Sequence, residues 1–76
     1  MTSAQLRAAR GLLNWSVREL AERAKVHRNT ISNYENGKYA STIETVAAIK
    51  GALEKAGVQF TNGKRPGVRL TAHASD

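Results

Sequence analysis

The sequence predicts a mainly α domain, a compact four-helix bundle-like unit closed by a C-terminal β-hairpin. Three observations carry this expectation. Hydroxyl residues precede Gln or Glu by three positions at Thr2 and Gln5, Ser16 and Glu19, and Ser41 and Glu44. At that spacing a side chain and the backbone can cap each other at a helix start. Each pair leads into apolar residues that recur every three or four positions, as one buried helix face requires. After Gly57 the pattern changes to alternation, which belongs to strands.

The elements follow in order. The first helix is expected from Ser3 to Leu13, with Leu6, Ala9 and Leu13 on one face, Gly11 weakening it and Asn14 and Trp15 as its exit. The second runs from Val17 to Ala24 and buries Leu20, Ala21 and Ala24. A break at Lys25 to His27 leads into a third helix from Arg28 to Asn36. Gly37 closes it, because glycine takes the left-handed cap conformation readily. The fourth runs from Thr42 to Ala56, with Val46, Ile49 and Leu53 inward and Gly57 as its stop. The strands are Val58-Gln59-Phe60-Thr61 and Gly67-Val68-Arg69-Leu70. A tight Asn62-Gly63 turn would set Phe60 opposite Arg65. A longer loop over Asn62 to Pro66 instead pairs Phe60 with Val68 and Val58 with Leu70, all on one face, and is the expected register. Residues 1–57 thus form the helical domain, 58–71 the hairpin and 72–76 a frayed tail.

A chain of 76 residues holds one core, and a core of that size is marginal, burying about 60% of the unfolded surface. With 12 Lys and Arg against 6 Asp and Glu, the formal net charge is +6, which favours a polyanionic partner without naming it. The absence of cysteine excludes disulfides and thiolate metal sites. No apolar run approaches the roughly 20 residues of a membrane span. Arg7 and Arg10 interrupt any signal-like stretch, so a cytoplasmic protein is expected. The carboxylates of Glu19, Glu22, Glu35, Glu44 and Glu54 fall on caps, solvated faces or an ion pair. No spacing sets up a nucleophile with its base, a metal site or a phosphate-binding glycine loop, so neither catalysis nor a cofactor is expected.

The informative stretch runs from Ser16 to Tyr34. Two short helices joined by about three residues must cross steeply, which needs small side chains at the contact. Ala21 allows the close approach, and Leu20, Ala24, Val26, Ile31 and Tyr34 form the apolar plug. This is the spacing of a helix-turn-helix. At about 100° per residue, Ile31 and Tyr34 define the core side of the third helix. Arg28, Asn29, Ser32, Asn33 and Asn36 fall on the other half. An ordinary solvated face carries Lys and Glu, but this one has three Asn and no acid, although Asn is a poor helix former. Arg and Asn match the guanine and adenine edges of the major groove.

From about Leu6 to Leu53 the chain resembles the helix-turn-helix of the lambda-repressor-like, Cro and XRE family of bacterial and phage regulators. The resemblance rests on Leu20-Ala21, Val26, Ile31, Tyr34-Glu35-Asn36-Gly37-Lys38, Ser41-Thr42 and the apolar helix from Val46 to Leu53. It implies that the third helix enters the major groove with Arg28, Asn29 and Asn33 reading bases and Ser32 secondary. It also implies an ion pair between Arg10 and Glu35. Phosphate contacts are expected from Asn36, Lys38 and Tyr39, and from backbone amides near Ser41 and Thr42 and at Val17. Tyr39 has the equal alternative of packing on the fourth helix. Two positions depart from the family. Val17 stands where Gln is frequent, and Lys25 stands in the turn where Gly is usual.

The function expected is therefore that of a sequence-specific double-stranded-DNA-binding transcriptional regulator. It is read as a repressor acting as a homodimer on a near-palindromic site. Val58, Phe60, Val68 and Leu70 either make the dimer contact or cover the domain's own helices. An antitoxin-like module whose hairpin binds a toxin protein is the alternative. Trp15 is read as core, and Arg18, Glu22 and Arg23 as a solvated face. His27 is read as a weak cap or phosphate contact, and Lys64 and Arg65 as solubilising. His73 has no specific role.

Overall fold

Cap chemistry sets where each helix begins. The computed structural model describes residues 1–38 and 42–71. It contains α1 (Ser3–Leu13), α2 (Val17–Ala24), α3 (Arg28–Glu35) and α4 (Ile43–Lys55), then β1 (Val58–Thr61) and β2 (Gly67–Leu70). At α1, Thr2 Oγ1 accepts the Gln5 N–H at 3.0 Å and Gln5 Oε1 accepts the Thr2 N–H at 2.8 Å, a full capping box. At α2 only half of the expected box forms. Ser16 Oγ accepts the Glu19 N–H at 3.0 Å, while the Glu19 carboxylate turns to Arg23 at 2.6 Å. The imidazole of His27 caps α3, its Nδ1 accepting the Asn29 N–H at 3.1 Å.

The start of α4 differs from the expected one. Thr42 is the cap, accepting the Thr45 N–H at 3.1 Å, and the expected pairing of Ser41 with Glu44 falls on a residue outside the described ones. Both spacings exist in the sequence. The Thr42 choice adds a bond between its hydroxyl and that of Thr45 at 2.9 Å. Asn36 and Ala56 likewise prove to be C-caps rather than the last helical residues. Ser41, Tyr39, His73 and the expected tail lie outside the described residues.

The first three helices end alike, through a left-handed residue and paired closing bonds. Asn14 and Lys25 have φ of 56° and 59°, and Gly37 has 71°. In the α2–α3 turn, Val26 N–H reaches Ala21 O at 3.0 Å and Lys25 N–H reaches Glu22 O at 3.3 Å. Lys25 thus keeps the left-handed turn geometry despite its Cβ.

Leu6, Leu20, Ile31, Ile49 and Leu53 are fully buried, with Ala9, Ala21, Ala24, Tyr34 and Val58 completing the core. Leu13 and Val46, expected inside, are half-buried against it, as are Trp15 and Val26. The hairpin is antiparallel with Phe60 opposite Val68 and Val58 opposite Leu70, the register of the longer loop. β1 lies on α4 and β2 on α1. Val58 enters the core, and Phe60 and Val68 pack on it, so the apolar face covers the chain's own helices. Only Leu70 of that set stays exposed, at 43%. A lone hairpin is marginal in water, and the helices supply the cover it lacks.

Gln5 ties hairpin to helix. It is buried, and its Nε2 donates to Thr61 O at 2.9 Å and Gly67 O at 3.0 Å while its Oε1 closes the α1 cap. Removing it leaves two strand carbonyls without that donor. Gln5→Ala is therefore expected to destabilise by about 2–3 kcal/mol in chemical denaturation. Lys25→Gly is expected to stabilise by up to about 1 kcal/mol, because it relieves the left-handed strain. A loss of thermal stability in Lys25→Gly would contradict this account of the turn.

Candidate nucleic-acid interface

α3 is amphipathic in an unusual way. Its core side, Ile31 and Tyr34, is 0% and 5% exposed. Arg28, Asn29 and Asn33 are exposed on the other half, and Ser32 is half-buried at the margin. Asn36 and Lys38, just past the helix, and Thr42, ahead of α4, are also exposed. Val17 is different, since its side chain packs against the core and only its main chain remains for a phosphate. The structure therefore brings Arg28, Asn29 and Asn33 onto one exposed half of α3, while the Val17 side chain packs against the core. Tyr39 and Ser41 are outside the described residues.

Four of the acids are paired within the domain. Glu19 pairs with Arg23 at 2.6 Å, Glu22 with Arg18 at 3.6 Å, Glu35 with Arg10 at 2.6 Å and Glu54 with Lys50 at 4.0 Å. Among the described residues no ion pair engages Lys25, Arg28 or Lys38. The unneutralised cations thus include those at the two ends of α3.

The C-terminal end of α3 is fixed by α1. Arg10 Nε donates to Glu35 Oε2 at 2.6 Å and Nη2 to Oε1 at 2.9 Å, a fork-on-carboxylate geometry. Arg10 Nη1 also donates to Trp15 O at 2.9 Å, joining the α1–α2 link to the same group. Glu35 is buried, so this pair is largely shielded from water. The hydrogen bond to Glu35 raises the Arg10 pKa above its ordinary value, the carboxylate charge adds to this, and burial opposes it.

Sequence reasoning missed Arg7, whose Nη1 donates to the main-chain O of Glu35 at 2.6 Å. A signal was present, because Arg7 and Arg10 stand three apart and share a helix face. Arg23, expected on a solvated face, also holds its guanidinium 4.5 Å from the centre of the Trp15 ring. That stack gives Trp15 a partner on its outer side as well as the core beneath.

An exposed Arg offers a fork of donors, and each Asn offers both a donor and an acceptor. Such a face can bond planar heterocyclic edges, with flanking cations for phosphates. Among the described residues no three His, Cys, Asp or Glu side chains gather where they could hold a metal ion. Within the same residues no helix is long and apolar enough to cross a membrane.

A family model described as helix-turn-helix matches residues 6–56 of the chain. No curated protein matches it.

Arg10→Ala strands the buried Glu35 carboxylate and is expected to cost about 3 kcal/mol in denaturant unfolding. Adding Glu35→Leu to that variant is expected to recover part of the loss. A purely additive double variant would mean that the pair is not coupled.

Proposed function

The chain belongs to the lambda-repressor-like helix-turn-helix family of DNA-binding regulators, and from that premise we propose that it is a transcriptional regulator that reads a specific duplex sequence with α3. The observation that carries the reading is the acid-free outward half of α3, with Arg28, Asn29 and Asn33 exposed beside unneutralised cations.

In this reading α3 lies in the major groove. Arg28 donates its fork to guanine O6 and N7, and Asn29 and Asn33 exchange paired bonds with adenine N6 and N7. Ser32, at the margin of the face, is a secondary contact. Lys38, Asn36 and Tyr39 bind phosphate, together with amides near Ser41 and Thr42 and at Val17. These contacts set register and carry no sequence information. Repression follows if the occupied site excludes other proteins from it. The proposed place of action is the cytoplasm.

A small reader covers few base pairs, so two copies are proposed, with their α3 helices about 34 Å apart on a near-palindromic site. Val58, Phe60 and Val68 pack on their own domain, so the hairpin offers such a dimer chiefly Leu70 and an open strand edge.

Base readers and phosphate binders separate by effect. On a duplex selected for tight binding, Arg28→Ala is expected to cost about 1–3 kcal/mol and to relax one base preference. Lys38→Ala is expected to weaken all duplexes alike and to flatten the salt slope by about one unit. Unchanged affinity and base preference in Arg28→Ala would sink the assignment.

A further inference from the structure

The end of α3 is completed from another helix. In its closing motif Asn36 N–H donates to Ser32 O at 3.0 Å, Gly37 to Tyr34 O at 3.1 Å and Lys38 to Asn33 O at 2.8 Å. The next carbonyl along is Glu35 O, and its donor is Arg7 Nη1. α3 has no basic residue in its own last turn. The cation that favours a helix C-terminus therefore arrives from α1. Three residues further along α1, Arg10 holds the carboxylate of the same Glu35. One face of α1 thus grips both the main chain and the side chain of a single residue.

These two grips are not equivalent. The bidentate bond to the carboxylate holds α3 through the side chain of Glu35, whereas the Arg7 bond acts on the helix main chain directly. We propose that Arg7 is a positioning residue for base reading, fixing the tilt of α3 and hence the angle at which Arg28, Asn29 and Asn33 meet the groove. This rests on the reading of α3 as the DNA-contacting helix. α3 is only 8 residues long, so a shift at one end is carried to the other. Paired bonds to a base edge weaken steeply with angle. Among the described residues no acid pairs with Arg7, and its guanidinium meets this carbonyl instead.

The test compares the unmodified protein with Arg7→Ala and Arg7→Lys in two measurements. The first is a salt titration on a selected duplex and on a scrambled duplex of the same composition. Arg7→Ala is expected to lower the selected-to-scrambled affinity ratio by roughly tenfold, while the salt slope stays unchanged because no phosphate contact is lost. Arg7→Lys, which can still donate one bond, restores most of the ratio. The second measurement is amide exchange without DNA, where Arg7→Ala is expected to speed exchange at Ser32 to Asn36 while α4 is unaffected.

A salt slope reduced by about one unit, with both duplexes weakened equally, would make Arg7 a phosphate contact and overturn the proposal. So would an unchanged affinity ratio, or α3 and α4 amides accelerating together. If the unmodified protein prefers no duplex, the reading of α3 fails separately. Amide exchange then still decides whether Arg7 holds the helix.

Discussion

The forked bond between Arg10 and Glu35 joins the first helix to the end of the third, and the placement of the outward face depends on it. α3 sends only Ile31 and Tyr34 into the core among its buried apolar residues. Two anchors on a helix of about two turns leave its axis free to rock. Burying a charged group is costly unless it is paired with good geometry. Here both carboxylate oxygens and the main-chain oxygen of Glu35 have arginine donors. The polar grip supplies direction, which apolar contact cannot.

The rest of α3 shows what that grip makes possible. An asparagine-rich outward half weakens the helix, and the structure compensates at both ends. His27 caps the first turn through Nδ1, and Gly37 with its closing bonds finishes the last. The preceding turn accepts a left-handed lysine at φ 59°, so strain sits next to the helix that carries the readers. The hairpin extends the same economy. Val58, Phe60 and Val68 close the open side of a small core, and Gln5 holds the hairpin to α1.

Much of this was legible in the sequence because it is local. The bounds of α1 and α2 follow from caps within three residues and from periodicity, and the hairpin register follows from keeping four apolar residues on one face. What stayed hidden was mainly long-range and polar. Arg7 meets Glu35 across 28 residues, and Gln5 meets the strand carbonyls across 56 and 62. A main-chain carbonyl leaves no mark on the sequence. The start of α4 differs by one residue for another reason, since Thr42 caps the helix with Thr45, and not a Gln or Glu, three positions on. The outward face of α3 was legible in composition, but the burial that exposes it had to come from the fold.

The central claim is that α3 reads sequence, beyond what a formal net charge of +6 would hold by attraction alone. Repeated selection of bound duplexes from a random pool, at a salt concentration that suppresses charge-driven binding, tests this most directly. The account predicts convergence on a common short motif. If the pool is retained yet stays random in sequence, the protein holds DNA by charge only and the account is wrong.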